Sequence, residues 1–548
     1  MPAPRCLLAA LVAVAVPVVA LAPAVARAAE AEVGATGTPF RGADASGAVR
    51  GWVDAHLHIT ANQRAGGRVL YGEPFDPRGI EAALGDDAAE HGPDGSADIT
   101  GNLLRSGLPF GTHDTHGWPT FAGWPTFDTM THQQTYWVWL ERAWMSGLRL
   151  VVAQTVEDEP FCRIEPVRSH SCDEPVAIRL QIRTLRAMQR YVDRQSGGPG
   201  KGWFRIVESP AQARRVIEQG KLAVIIGIES SDPLGCSESM GRPACTAAQV
   251  DRRLDQFRRL GVRTMFIAHW INNAFAGSAL EADAKGAFIN IFNRFQTGAW
   301  FTTAPCPQPG EGEEVTTLTQ GELQVLAGDF PGTQAIADEG MPAYPPGRQC
   351  NARGLTALGR HLVRAMMARH MLIEVDHLSE RARATVLRMA EAADYPLVSS
   401  HTDTGGTWTT RDLRRLFAVG GFATARPDTA GPLARRILEL ARLAPGGVGL
   451  GSDTGGFAAL PGPRADAAQH PLPYPFRAFV GNVRFTRERT GERVFDLNTD
   501  GVAQYGLFAD LLADVQRTRR GPAALRVLFR SAEAYLQTWQ RAFVRRPR

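Results

Sequence analysis

Leu222-Ala-Val-Ile-Ile-Gly-Ile-Glu229 is an almost wholly apolar run that ends on a carboxylate. A short run of this kind, without alternation of polar residues, is typical of a parallel strand buried on both faces. Seven other runs are similarly apolar and β-branched, and amphipathic stretches separate them. The eight predicted strands are residues 51–58, 148–155, 222–229, 263–269, 372–377, 396–401, 421–425 and 447–453. This alternation predicts an α/β fold, a TIM-like (β/α)8 barrel.

The stretches between these runs have the apolar periodicity of helices. The predicted helices cover residues 184–195, 210–219, 247–260, 355–368, 379–393, 411–417, 432–443, 505–517 and 523–541. Three long segments rich in Gly, Pro, Thr and Asp interrupt this alternation of strands and helices, at about residues 60–130, 275–350 and 455–500. Each follows a predicted strand, so we expect all three as insertions on the catalytic face of the barrel. Loops of this length are usually functional or partly disordered.

The start of the chain has the pattern of a secretory signal peptide. Arg5 precedes an apolar run over residues 7–22, and small residues follow up to Ala29. We therefore expect a signal peptide over residues 1–29, one barrel domain over residues 30–548, and a secreted or extracytoplasmic protein. An uncleaved anchor is the alternative, although the run is slightly short for a bilayer span. No later segment is apolar enough to cross a membrane, so no span is expected in the mature chain.

Six cysteines remain once Cys6 is removed with the leader, an even number for an oxidising compartment. They permit fifteen pairings. We favour the pairs that are neighbours in sequence because each brackets a segment with the composition of a loop, namely Cys162–Cys172, Cys236–Cys245 and Cys306–Cys350.

The overall composition is that of a folded protein, with 44% hydrophobic and 21% charged residues. Its net charge of +4 comes from scattered arginines, and no nucleic-acid motif accompanies it. We therefore expect a small-molecule substrate and no nucleic acid as a partner.

Histidine or carboxylate side chains occupy the ends of most predicted strands. The carboxyl ends of barrel strands converge on one pocket, so residues far apart in sequence can share a metal ion there. His56 and His58 lie on one side of the first strand because side chains alternate with period two. Glu229 ends an apolar strand, where an unpaired carboxylate would be costly to bury. The candidate ligands are His56, His58, Glu229, His377 and His401.

Asp453 follows the last predicted strand in Gly447-Val-Gly-Leu-Gly-Ser-Asp453-Thr-Gly-Gly, where glycines permit a close backbone approach. We interpret it as a general base, with an Asx turn as the alternative. His113, His116 and His132 cluster in the first insertion, and we expect them to be solvated loop histidines rather than residues of the pocket.

Together with Phe266-Ile-Ala-His269-Trp-Ile-Asn-Asn, these residues resemble the ordered signatures of the renal-type membrane dipeptidases, over about residues 50–455. The resemblance implies two zinc ions held by the five candidate ligands and bridged by Glu229. It also implies that His269 contacts the substrate carbonyl and that Asp453 transfers protons. The first strand departs from the family pattern, with His56-Leu-His58 in place of H-x-D. The family's carboxylate-binding arginine has its nearest counterpart in Arg411, within a motif that matches poorly.

The sequence therefore predicts an exported hydrolase that cleaves an amide or peptide bond by attack of a hydroxide bridging two divalent metal ions, most simply a dipeptidase. His269 would help to stabilise the oxyanion. Nitrogen and carboxylate ligands suit zinc, and also manganese, iron or nickel. An amidohydrolase acting on another ester, lactone or N-acyl compound is the first alternative, and a non-catalytic metal-binding protein is the second.

Overall fold

The computed structural model describes residues 1, 30–44, 46–165, 167–328, 330, 332–403, 406, 408–444 and 446–544. The expected signal peptide therefore lies outside the described residues, apart from Met1. Of the helices that are described, none combines the length and the apolar character needed to cross a membrane.

Eight parallel strands, all within the described part of the chain, close into a barrel. They are β1 Trp52–Leu57, β2 Leu148–Glu157, β3 Leu222–Ser230, β4 Val262–Phe266, β5 Leu372–Glu374, β6 Val398–Ser399, β7 Phe422–Ala425 and β8 Gly449–Leu450. Each strand pairs with the next in chain order, and β8 returns to β1 through Leu450 and Asp54. The predicted (β/α)8 fold is confirmed, with all eight strands in the predicted places.

The apolar run that begins at Leu222 forms β3, which is buried along its whole length. Its residues pair on one edge with β2, from Leu150 opposite Ala223 to Glu157 opposite Ser230, and on the other edge with β4. Burial on both faces explains why the strand carries no alternating polar residue. β3 is therefore part of the apolar core. Polar side chains lie inside the barrel as well as at the strand ends, since the Thr264 hydroxyl of β4 donates to the buried Glu374 of β5 at 2.8 Å.

Helices surround the barrel and join its strands. Those that follow β2 to β7 and pack outside the sheet are Glu174–Gln195, Pro210–Glu218, Ala247–Arg259, Ala357–Ala368, Glu380–Ala393, Thr410–Ala418 and Ala430–Ala441. The first begins ten residues before its predicted start. Asp173 caps it by accepting a hydrogen bond from the Val176 amide, and Pro175 occupies its first turn.

The three insertions lie after β1, β4 and β8, and they contain short elements of their own. Their helices are Ile80–Ala83, Ala88–His91, Ile99–Ser106 and Trp137–Met145, then Asp283–Thr297, Gln320–Ala327 and Gln334–Glu339, then Leu497–Asp500. Their short strands are Thr303–Ala304, Glu313–Glu314 and Arg348–Asn351 in the second insertion and Phe476–Arg477, Arg484–Phe485, Glu488–Thr490 and Arg493–Phe495 in the third. The first and second insertions share a hydrophobic cluster that includes Leu103 and Phe288.

Three further helices, Phe508–Arg517, Gly521–Leu528 and Ser531–Val544, complete the described chain. The last of them packs at the amino end of the barrel, where the Ser531 hydroxyl accepts a hydrogen bond from the Val53 amide at 3.0 Å. The expectation that residues 30–548 form one domain stays a prediction.

All three predicted disulfides are formed: Cys162–Cys172, Cys236–Cys245 and Cys306–Cys350. The first two close short loops after β2 and β3, and the third ties two strands of the second insertion together. Covalent ties of this kind are characteristic of proteins from oxidising compartments.

Candidate metal centre

The strand ends bring all of the sequence-predicted metal ligands together. His56 lies in β1 and Glu229 near the end of β3, and the remaining side chains follow their strands within three residues. The side chains of His56, His58, Glu229, His269, His377 and His401 are at most 4% exposed. Such a set of buried nitrogen and oxygen donors requires either mutual hydrogen bonds or a cation.

One carboxylate oxygen of Glu229 faces the histidines of the first strand. Glu229 Oε2 lies 3.3 Å from His56 Nε2 and 3.2 Å from His58 Nε2. Asp453 Oδ1 lies 3.5 Å and 3.2 Å from the same two nitrogens, which are themselves 3.0 Å apart. These four donor atoms surround one point.

The other oxygen of Glu229 faces a second pair of histidines. Glu229 Oε1 lies 3.4 Å from His377 Nε2 and 3.6 Å from His401 Nε2, and these nitrogens are 2.8 Å apart. Glu229 Oε1 is buried and accepts no hydrogen bond from the described residues. A buried, unsatisfied carboxylate oxygen beside two imidazoles fits a divalent cation. Glu229 thus has one oxygen in each of two donor groups, as a bridging carboxylate would.

Polar groups behind the imidazoles aim their Nε2 atoms at this centre. His56 Nδ1 lies 3.0 Å from the Ser400 hydroxyl, and His58 Nδ1 lies 3.0 Å from the Gln154 carbonyl. His401 Nδ1 lies 3.2 Å from Asp376 Oδ2. Support of this type sets the ring orientation of metal-binding histidines. The sequence analysis missed all three supporting residues, although Asp376 directly precedes a predicted ligand.

The carboxylates also control the ionisation of the histidines around them. Burial alone would lower the pKa of His58, but contact with Asp453 and Glu229 raises it to about 9. The pKa of Asp453 falls to about 2, because its contact with His58 and the charge of His56 outweigh the burial that would raise it. Burial and the positive charge of His401 lower the pKa of His56. Negative charge in the centre is therefore greatest beside His58, where Asp453 and Glu229 both make contact.

Backbone geometry brings Asp453 and His377 into position. Both residues adopt left-handed conformations, with φ of 51° and 60°. Such conformations are uncommon outside glycine and cluster at functional sites. A Cβ at Gly456 would lie 1.7 Å from Asp453 Oδ1, so glycine is required there. A larger residue at position 456 would displace the Asp453 carboxylate from the centre.

His269 belongs to the same centre and is held by a residue that the sequence analysis missed. His269 Nε2 lies 3.7 Å from Glu229 Oε1, and its Nδ1 lies 2.8 Å from Asp158 Oδ1. Asp158 also accepts hydrogen bonds from Arg64 and Ser231. Burial would raise the pKa of Asp158, but His269 and Arg64 bring it to about 2. Asp158 is therefore a carboxylate that orients His269.

A cavity of about 430 Å³ opens above the centre. His269, His377 and Asp453 form part of its polar lining, together with Lys285 and Arg426. Its apolar wall comes mainly from the insertions and consists of Leu103, Leu104, Met130, Phe161, Trp270, Phe288, Ile289, Leu326 and Phe457. A small molecule with an apolar side chain fits this shape.

Arg411 lies away from that lining. It lies in the first turn of helix Thr410–Ala418, whereas Arg426 follows β7 and lines the cavity; both arginines are exposed. The role of Arg411 in substrate binding stays a prediction.

The histidines of the first insertion differ from one another. His116 is exposed as expected, with 69% of its side chain accessible, but His132 is buried and the His113 side chain is only 6% exposed. The prediction that all three are solvated is wrong for His113 and His132. Both contact Asp87, which lies 26 or more residues earlier, so local sequence gave no sign of their burial.

The barrel and its buried donor groups define the class of protein: a metal-dependent hydrolase. Within this class, the family model for membrane dipeptidases, peptidase family M19, matches residues 323–408. The matched stretch contains His377 and His401 and is a small part of the 548-residue chain. The resemblance inferred from the motifs is thereby confirmed. A search of curated proteins finds no match.

Three solved structures illustrate the similarity. Dipeptidase AC, a metallopeptidase of family M19, is 16% identical with a TM-score of 0.41, over 74% of this chain and 88% of its own. A metallopeptidase from Rhodobacter sphaeroides, liganded with a phosphinate mimic of L-Ala-D-Ala, is 16% identical with a TM-score of 0.40, over 74% and 89%. The probable dipeptidase PvdM from Pseudomonas aeruginosa is 14% identical with a TM-score of 0.36, over 90% and 95%. Similarity at this level does not bear on individual site residues.

Proposed function

We propose that this protein is an exported dipeptidase that uses two divalent metal ions, most simply zinc. The observation that carries the proposal is the position of Glu229, whose two oxygens face two separate donor groups. His56 and His58 would hold one ion and His377 and His401 the other. The matched family model, which describes membrane dipeptidases, supports the substrate class.

Bound divalent ions would supply a water that is deprotonated near neutral pH and would polarise the scissile carbonyl. Side chains of the protein would transfer the proton and stabilise the developing negative charge. One oxygen of Asp453 lies beside His56 and His58, and the residue also lines the cavity. Asp453 accepts a proton and returns it to the leaving amine. His269, held by Asp158, donates from Nε2 to the carbonyl oxygen as negative charge develops.

The cavity above the centre selects the substrate. Its apolar wall would contact the side chains of a dipeptide, and Arg426 or Lys285 would contact the free carboxylate. Lys285 lies 3.4 Å from Glu281 and 5.4 Å from the Trp270 ring, so part of its charge is already compensated. Arg426 is therefore the better candidate, because a guanidinium binds a carboxylate through two parallel hydrogen bonds.

The extent of the apolar wall also favours a second candidate, hydrolysis of N-acyl compounds. Nine of the residues that line the cavity are apolar side chains of at least leucine or methionine size. An acyl chain would bury well against them. A hydrolase of this kind would use the same centre and would not need a free substrate amine.

A paired test separates these activities. Purified full-length exported protein is first analysed for metal, and dipeptides are then compared with their N-acylated and C-terminally amidated forms. At least two ions per chain and a clear preference for free dipeptides are expected. Preferred cleavage of the N-acyl forms would support the second candidate, and turnover unaffected by removal of the metal would contradict both.

A further inference from the structure

A second cluster of metal-binding side chains lies in the first insertion, outside the centre described above. Asp87 Oδ2 lies 3.1 Å from His91 Nδ1, 2.9 Å from His113 Nε2 and 2.5 Å from His132 Nε2. One ligand atom from each of these four residues lies within 4.8 Å of every other. Three imidazoles thus converge on a single carboxylate oxygen.

Hydrogen bonding alone satisfies this cluster poorly. Three donors crowd Asp87 Oδ2, while Asp87 Oδ1 is buried and has no partner among the described residues. A carboxylate distributes about four acceptor sites over two oxygens, so this distribution is uneven. The His132 Nδ1 and His113 Nδ1 atoms are also buried and lack hydrogen-bond partners in the described part of the chain.

The three rings are arranged as ligands around one point. Their planes are nearly perpendicular in every pair, at 85° for His91 and His113, 90° for His91 and His132, and 88° for His113 and His132. The ring centroids are 4.8 to 5.6 Å apart. This arrangement presents one nitrogen of each ring to a common centre without stacking the rings on one another.

Surrounding groups hold the cluster in place and exclude water. His91 and His132 are each 2% exposed and Asp87 is fully buried. His91 Nε2 lies 3.2 Å from the Val69 carbonyl, and the His132 ring stacks on Trp124 with centroids 4.9 Å apart. Outer contacts of this kind are usual behind metal-binding histidines.

We propose that Asp87, His91, His113 and His132 bind one zinc ion, separate from the barrel centre. Three nitrogens and one carboxylate oxygen complete the tetrahedral coordination that structural zinc sites prefer. Tetrahedral ligands at Zn–N distances of 2.0–2.1 Å lie about 3.3 Å apart. The contacts of Asp87 with the histidines, at 2.5–3.1 Å, would lengthen to this spacing, and the four ligand atoms, which lie within 4.8 Å of one another, would adjust around the ion. A site closed by four protein ligands has a structural role, since no position is left for substrate.

This ion would fix the wall of the substrate cavity. Asp98 Oδ2 lies 3.9 Å from His113 Nδ1 and accepts a hydrogen bond from the Thr131 hydroxyl at 2.7 Å. The other oxygen of Asp98 caps helix Ile99–Ser106 through the Gly101 amide. Leu103 and Leu104 of this helix line the cavity. The zinc site therefore joins segments up to 45 residues apart at the base of the helix that faces the substrate.

Metal content measured on full-length protein tests the proposal without reference to activity. We expect His113→Gln to lose one zinc per chain relative to the wild type and to keep the ions of the barrel centre. His116→Gln, from the same insertion but with an exposed side chain, is the matched control and should lose none. Equal zinc content in folded His113→Gln and wild-type protein would overturn the proposal.

A second experiment covers the case in which His113→Gln does not fold. The barrel centre is disabled by combining His58→Gln, Glu229→Gln and His377→Gln, which leaves one imidazole in each of its two donor groups, and the protein is loaded with cobalt alone. One bound cobalt with the visible absorption of a tetrahedral ion is expected. Adding His132→Cys to this protein should bring a thiolate-to-cobalt charge-transfer band. A folded barrel variant that binds no cobalt would show that the cluster is only a hydrogen-bonded network. Because the barrel centre is absent from this protein, the outcome is independent of the proposed dipeptidase activity.

Discussion

His269 Nδ1 lies 2.8 Å from Asp158 Oδ1, and this contact leaves His269 Nε2 facing Glu229. We expect Asp158→Asn to lower kcat by about 10- to 100-fold, the usual effect of losing such a supporting contact. Asparagine keeps the shape of the side chain but has no negative charge, so it no longer balances the positive charge that the ring carries when both of its nitrogens donate.

The readout is kcat, KM and metal content of the same Asp158→Asn sample. Metal content should be unchanged, because Asp158 contacts none of the proposed ligands directly. Ser231→Ala, which removes only one hydrogen bond to Asp158, is the control and should have a much smaller effect. Loss of metal in Asp158→Asn would mean that Asp158 supports the centre rather than His269 alone.

Asp453→Asn should lower kcat by roughly 10²- to 10⁴-fold, the contribution of general acid–base transfer. Asparagine keeps the shape of the side chain but cannot accept the proton. Asp453 Oδ1 lies as close to His58 Nε2 as Glu229 does, so a role as a ligand is the competing interpretation. Metal analysis of the same sample decides: retained ions with low turnover support proton transfer, and loss of an ion makes Asp453 a ligand.

Two arginines are to be compared as the carboxylate-binding residue. Arg426 lines the cavity, whereas Arg411, in helix Thr410–Ala418, does not. Arg426→Lys should raise KM for dipeptides about tenfold and leave KM for their C-terminal amides nearly unchanged, because lysine cannot form the paired hydrogen bonds. Arg411→Lys serves as the comparison, because Arg411 is the carboxylate-binding residue that the sequence predicted. A selective effect in Arg411→Lys alone would restore the sequence-based assignment.

Glu488 gives the fold a pH dependence away from the metal centre. Burial raises its pKa to about 8 from an ordinary 4.5, against the hydrogen bond from Thr490. Between these two pH values the folded protein holds a proton that the unfolded chain has released, so stability falls as pH rises from about 4.5 to 8. Glu488→Gln should therefore raise Tm at pH 8 and change it less at pH 5. Exposed Glu492→Gln is the control, and a Tm difference independent of pH would contradict the explanation.

Loss of the Cys306–Cys350 disulfide should destabilise more than loss of Cys162–Cys172. Closing loops of 44 and 10 residues restricts the unfolded chain by different amounts, with entropic estimates of about 4 and about 2.7 kcal/mol. Paired Cys→Ser variants compared by Tm in the same buffer test the order. A larger loss of Tm in the Cys162/Cys172 pair would show that local packing, not loop length, dominates.

The sequence by itself determined the barrel and most of its polar centre. The apolar β-branched runs of this chain form buried parallel strands, and a histidine or carboxylate at the end of such a strand lies at the rim of the barrel. His56, Glu229 and His401 could therefore be placed together from their positions alone. The pairing of the six cysteines followed for a similar reason, because each partner lies within a short loop or insertion.

Only the tertiary structure decided which residues support the centre and which face the substrate. Asp158 and Arg426 directly follow β2 and β7, so their places at the rim were readable, but their roles depend on side chains that lie 111 residues away or across the cavity. The cluster around Asp87 was equally hidden, since an irregular insertion has no periodicity from which burial can be predicted. Strand patterns are local and therefore readable in sequence, whereas the meeting of loops depends on the packing of the whole chain.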